Sequence, residues 1–224
     1  MKKQRITLNT QTEGFVDTVL TQEEQASLTP ARVMELLKEG NKVFVNGEVT
    51  LRNHKEQIRR AAVNQFPKAI VLSCVDSRIP VEDVFDRGIG DIFVARVAGN
   101  FVNTDILGSM EFACKVAGAK LILVLGHEHC GAVMGAIDAV ELGNITAMLE
   151  NIKPAVNSFP DYQQEKTSAN AAFVHMVAEK NVQLNVAKIR EESPILKEME
   201  SAGEIKIIGA MYDMNTGQVN TMEL

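Results

Sequence analysis

Leu121-Ile122-Leu123-Val124-Leu125 is an unbroken apolar run. A strand wetted on one face alternates apolar with polar positions, so an unbroken run fits a strand covered on both faces, as in a parallel sheet. Gly126 then permits an abrupt turn, and Gly131 allows close backbone approach where a helix begins over Gly131 to Val140. Three further stretches read as strands: Ala69 to Cys74, Asp91 to Val97 and Ile205 to Tyr212. Between them lie helical patterns. Pro80 to Phe85 is short and opened by proline. Thr104 to Val116 carries Ile106, Leu107, Met110, Phe112 and Ala113 at helical spacing and closes at Gly118. Strand alternating with helix predicts an α/β fold, a mainly parallel β-sheet flanked by helices with right-handed crossovers.

The flanks are less regular. Residues 1–27 are polar with one apolar patch, Phe15 to Leu20, and read as an N-terminal helical arm that needs a surface to lie on. Thr29 and Pro30 open a helix over Ala31 to Lys38, which Gly40 stops. His54 to Asn64, Ala147 to Val156 and Ala169 to Arg190 are the other helical segments. Asp213 to Gly217 resembles the opening of a calcium loop but lacks the later glutamate. A tight turn is expected there, with Gln218 to Met222 returning as a hairpin. No repeat or linker divides the chain, so residues 1–224 are expected to form one domain.

Composition narrows the function classes. A net charge of -6 argues against a nucleic-acid footprint or an anionic membrane surface and favours a small or neutral substrate. No apolar run approaches the ~20 residues of a membrane span. The basic start Met1-Lys2-Lys3 has no apolar stretch behind it, so a cytoplasmic location is expected, or a periplasmic one if a leader has been removed. Three cysteines without a CxxC do not form a disulfide framework; they fit a reducing compartment, with thiols serving packing or metal.

The chemistry gathers at two strand ends. Cys74-x-Asp76-x-Arg78 follows one strand and His127-x-x-Cys130 follows another. If those strands are neighbours, Cys74, His127 and Cys130 meet as a Cys₂His set at the carboxyl edge, where open α/β sheets place their sites. Zinc is the favoured occupant, one ion per chain, and three protein ligands leave a fourth position open. Asp76 either fills that position as a ligand or stands beside a bound water, with Arg78 pairing bidentately to hold it as an acceptor. Zinc lowers the pKa of bound water from about 15.7 to about 7, which makes hydroxide available near neutrality. Cys114 lies in a helical apolar stripe and reads as core. His54 and His175 have no carboxylate or thiol partner nearby in sequence and read as surface or satisfied residues. His129 reads as a solvated loop side chain, with a proton carrier or a further ligand as alternatives.

These residues, with Arg96-Val97-Ala98-Gly99-Asn100 and Gly108-Ser109-Met110-Glu111-Phe112-Ala113, occur in the order and spacing that resemble the β-class carbonic anhydrases, over about Leu28 to Tyr212. The resemblance implies reversible hydration of carbon dioxide to bicarbonate and a proton. It implies Cys74, His127 and Cys130 as zinc ligands and Asp76 with Arg78 as the catalytic pair, Asp76 also ligating zinc in some members. Gly131 and the loop Val97 to Asn100 would line or support the pocket. It further implies a homodimer, often paired into a homotetramer, with the site at the dimer interface and the arm packed on the partner subunit. One subgroup builds a non-catalytic bicarbonate pocket around a Trp; this chain has none, so that pocket is not carried over. Rival readings are a hydrolase of carbon disulfide or carbonyl sulfide on the same scaffold, and a non-catalytic zinc-stabilised dimer. Intact Asp76 and Arg78 argue against the second.

Overall fold

The computed structural model describes residues 14–222, so the first part of the expected arm, residues 1–13, lies outside the described residues. A five-stranded sheet has the order β2-β1-β3-β4-β5. The strands are β1 (Ala69–Ser73), β2 (Ile92–Arg96), β3 (Leu121–His127), β4 (Lys206–Tyr212) and β5 (Val219–Thr221). The first four are parallel, and β5 returns antiparallel to β4 as the expected hairpin. Ile70 and Leu72 of β1 face one apolar core and Ala69 and Val71 face the other, which is why the run needs no polar break. The connection leaving β1 goes to one side and that leaving β3 goes to the other. The crevice between their carboxyl ends is therefore the topological switch point.

One face is covered mainly by α5 (Thr104–Glu111), α6 (Gly131–Ile137), α8 (Lys153–Val156), α9 (Ala171–Glu192) and α10 (Pro194–Ser201). The other is covered by α2 (Pro30–Val45) and α4 (Val81–Val84). The remaining helices are α1 (Gln22–Ser27), α3 (His54–Arg60) and α7 (Gly143–Leu149).

Several expectations change in detail. The helix from Pro30 does not stop at Gly40; it runs to Val45. A Cβ at Gly40 would lie 1.8 Å from the Phe85 carbonyl oxygen, so this glycine serves close packing of α2 on the turn after α4, not termination. The helix expected to run to Val116 is α-helical only to Glu111. Phe112–Val116 is a π-turn closed by Ala117 N–H donating to the Phe112 carbonyl at 2.9 Å. The segment expected as one helix from Ala147 to Val156 divides into α7 and α8, and α3 ends at Arg60 rather than Asn64. The α10 helix was not expected; Ser193 caps it and Pro194 opens it, a readable Ser-Pro signal. From Gly14 to Leu20 the arm is not helical. Val16 bridges to Arg52 of its own chain, and the first helix, α1, starts only after Thr21 with a capping box to Glu24.

Candidate metal centre

The β1–β3 register pairs Ser73 with Leu125, which brings the next residue of β1, Cys74, to the level of the β3 end. The β3 strand runs two residues further than expected and carries His127 at its tip. Gly126 is not the turn residue: a Cβ there would come within 2.5 Å of Val182 and 2.7 Å of the Met211 sulfur, so it lets α9 and β4 approach. Nor does Gly131 meet a close neighbour; nothing lies within 4 Å of a Cβ built on it. The turn is made by exposed His129, in the left-handed region at φ 51°. Cys130 then stands at the N-cap position of α6, its side chain making no capping hydrogen bond.

The candidate ligand atoms of Cys74, His127 and Cys130 lie within 4.8 Å of one another, all three residues buried. The two sulfurs are 4.0 Å apart and unbridged. His127 Nδ1 is 2.8 Å from the Glu128 carbonyl oxygen. A carbonyl only accepts, so Nδ1 carries the proton and Nε2 presents its lone pair. That Nε2 is buried and has no hydrogen-bond partner among the described residues. Hydrogen bonding with Cys130, helped by the Gly99 amide, holds the Cys74 thiol down at about 4 against the cost of burial. The same contact with Cys74, together with burial, pushes the Cys130 thiol up, so the pair holds one proton between them. An orphaned imidazole nitrogen facing two thiols, one readily ionised, is a donor set suited to a borderline-soft cation.

Asp76 stands beside this cluster and is engaged elsewhere. Its Oδ1 accepts from Arg78 Nε at 2.9 Å and from the Arg78 amide at 3.0 Å; its Oδ2 accepts from Arg78 Nη2 at 2.6 Å. The guanidinium holds the carboxyl at about 2, so it is a carboxylate at any working pH. Oδ2 is also 4.0 Å from His127 Nε2, which puts this oxygen next to the space the three ligand atoms face. Arg96, whose motif was noted without a role, proves to be the clamp on this loop. From the end of β2 its Nη1 donates to the carbonyls of Cys74 at 2.9 Å and Asp76 at 3.3 Å, and its Nη2 donates to the Ile79 carbonyl.

A family model described as carbonic anhydrase matches residues 69–219. Carbonic anhydrase 2 of Mycobacterium tuberculosis is 32% identical over 195 residues, 84% of this chain and 91% of that protein. A carbonic anhydrase of Mycolicibacterium smegmatis is also 32% identical, over 85% of this chain and 92% of its own length. The chain belongs to the β-class carbonic anhydrases. Solved β-carbonic anhydrases share the fold. CafA of Aspergillus fumigatus superposes with a TM-score of 0.68 at 23% identity, covering 86% of this chain and 89% of that one. A tetrameric β-carbonic anhydrase of Sordaria macrospora gives 0.67 at 22% identity, covering 87% and 95%.

Within this β-carbonic anhydrase scaffold the other histidine and cysteine expectations resolve unevenly. Cys114 is buried away from the cluster, and burial pushes its thiol up to about 12. His175 is not without a carboxylate: Glu179 lies 3.4 Å away on the same helix, and Glu128, distant in sequence, lies 3.8 Å away. Asp213 makes the expected tight turn, its Oδ1 accepting from the amides of Asn215 and Thr216. Sequence reasoning missed Asn181 and Asn185. Their signal is two amides in the buried stripe of α9, beside Val182 and Val186. Among the described residues no helix is long and apolar enough to cross a membrane.

Proposed function

We propose that this chain catalyses the reversible hydration of carbon dioxide to bicarbonate and a proton, at one zinc ion held by Cys74, His127 and Cys130. The observation that carries the reading is the orphaned His127 Nε2 facing two close sulfurs, with a guanidinium-held carboxylate alongside. Zinc fits this donor set: tetrahedral coordination with metal–sulfur bonds of about 2.3 Å sets two sulfurs roughly 3.8 Å apart, against the 4.0 Å found here. When bound, zinc supplies the acidity that brings the pKa of water to about 7.

The chain's own residues do the rest. In hydration the oxygen of water bonds to the carbon of carbon dioxide, one C=O π bond becomes the bicarbonate oxyanion, and one proton leaves to solvent. Asp76 accepts a hydrogen bond from the attacking O–H and so points the oxygen lone pair at carbon. Arg78 keeps both carboxylate oxygens oriented and unprotonated, which makes Asp76 an acceptor only. In this resting arrangement Asp76 pairs with Arg78 and is not counted among the ligands. Arg96 keeps the loop that carries both residues in register with the thiols.

A second copy of the chain completes the site in this reading. Apolar β2 is only half-buried, and Phe112, packed edge-on to Phe93 of that strand, is 53% exposed; at the site the Arg78 side chain is 53% exposed. An exposed apolar face of this kind, on a chain whose site is also open, is what a homodimer would cover. The N-terminal arm would add to that contact, and residues 1–224 act as one domain.

Metal analysis of the purified protein coupled to a stopped-flow hydration assay tests the proposal. One zinc per chain with carbon dioxide hydration is expected. Zinc without hydration, or sulfide release from carbonyl sulfide in its place, would overturn it. Sedimentation should give a dimer or a multiple of it.

A further inference from the structure

The loop between β2 and α5 passes directly over the Cys74 sulfur. Val97 to Asn100 form a turn closed by Asn100 N–H donating to the Val97 carbonyl at 2.9 Å. Gly99 sits in it at φ +84°, a conformation that strains any residue with a Cβ. Its amide donates to Cys74 Sγ at 3.3 Å. A Cβ on Gly99 would lie 2.4 Å from the Ile152 Cδ1, so both the conformation and the space favour glycine here.

What holds this turn over the sulfur is α9. Asn181 Nδ2 donates to the Gly99 carbonyl at 2.8 Å. One turn along, Asn185 Nδ2 donates to the Asn181 side-chain oxygen at 3.1 Å and to its backbone carbonyl at 2.8 Å. Asn185 Oδ1 accepts from the Val102 amide at 2.7 Å, and Lys188 Nζ reaches the Val102 carbonyl at 3.1 Å. Both asparagines are buried, at positions where the stripe of α9 is otherwise apolar. Burying two carboxamides is costly unless they are satisfied, and these two are spent on fastening one short loop.

We propose that Asn181 and Asn185 are positioning residues: they fix the Gly99 amide against the Cys74 sulfur and thereby set how much charge that sulfur donates to the bound metal. An N–H aimed at a thiolate draws electron density from it. The cation then keeps more of its positive charge and polarises water more strongly. Partners one step removed from a metal typically alter affinity or activity 10–100-fold. This inference rests on Cys74 being a metal ligand.

Two measurements test it without relying on turnover. In the wild-type protein loaded with cadmium-113 and labelled with nitrogen-15 glycine, the Gly99 amide proton should show scalar coupling to the metal through the sulfur. In the cobalt(II)-loaded protein, the sulfur-to-metal charge-transfer band should move to longer wavelength in Asn181→Ala and less far in Asn185→Ala, because a sulfur that loses its donor gives up electrons more easily. A purely structural role would lower the melting temperature and leave the band of the folded, loaded variant unmoved; that result overturns the inference. So does cadmium uptake without coupling, a result that needs no variant to fold. No stoichiometric metal uptake at all would overturn the zinc reading, and this one with it.

Discussion

Cys74 and Cys114 are withdrawn from water almost equally, at 4% and 2% exposure, yet their thiols are driven in opposite directions. Cys74 lies at a strand tip where a second thiol, an imidazole and the Gly99 amide converge, and it is held at about 4. Cys114 lies in the π-turn after α5 among apolar side chains, and burial pushes it to about 12. Burial alone therefore says nothing about a cysteine's role. What matters is whether the buried sulfur is given donors that stabilise its anion.

Exchanging the two cysteines for alanine tests that contrast most severely. Cys74→Ala should lose stoichiometric metal and reduce hydration to the uncatalysed background. Cys114→Ala should keep one metal per chain and turnover within about twofold, at a stability cost of roughly 1 kcal/mol for the small cavity. Metal analysis and stopped-flow assay of both variants check this, and metal loss from Cys114→Ala would break the contrast.

A sharper version leaves both sulfurs in place. Asp76→Asn removes the carboxylate charge while keeping its shape, so metal should be retained while turnover drops about 10²–10⁴-fold, the usual range for a lost proton-handling group. Equal loss of metal and activity would mean that Asp76 acts as a ligand instead.

Thiol chemistry separates the cysteines in the metal-free protein. At neutral pH the Cys74–Cys130 pair should take up a small alkylating agent, because one of its thiols is already ionised. Cys114 should stay unmodified until the chain unfolds. Mass spectrometry of the labelled peptides reads the outcome, and early labelling of Cys114 would contradict it.

The last contrast lies in alkali, outside the working range. Below pH 9 the Cys114 thiol is protonated in both folded and unfolded chains and adds no pH dependence. Between pH 9 and about 12 the unfolded chain ionises first, so stability falls as pH rises through that window, and beyond it the loss stops growing. At about 1.4 kcal/mol per tenfold the loss is at most about 4 kcal/mol. Denaturant titrations across the window should show a shallower decline in Cys114→Ala than in wild type.

Much of the fold was legible because burial leaves a local trace. An unbroken apolar run such as Leu121 to Leu125 announces a strand covered on both faces, and β1 to β4 all fall where such runs do. Glycines were the least legible residues. Gly40 and Gly126 suggested a helix stop and a turn, and both turned out to be points where another element comes close. Which neighbour approaches a glycine is a long-range fact, and no local pattern carries it. The division of the Ala147 to Val156 segment and the π-turn at Phe112–Val116 were hidden for a related reason. A single change of hydrogen-bond register leaves hydrophobic spacing nearly intact.

The amino-acid sequence by itself determined the parts: apolar strands ending in thiols and an imidazole, and a carboxylate two residues from a guanidinium, close enough to pair without help from the rest of the chain. Only the tertiary structure decided their assembly. The β1–β3 adjacency brings Cys74 to His127 and Cys130 and leaves Cys114 out. The Glu128 carbonyl selects which imidazole nitrogen faces the sulfurs. A helix contributed more than eighty residues downstream of Gly99 fastens that glycine's amide over one sulfur. Strand order and helix docking arise from packing between segments far apart in the chain, and that packing is a property of the whole fold rather than of any stretch within it.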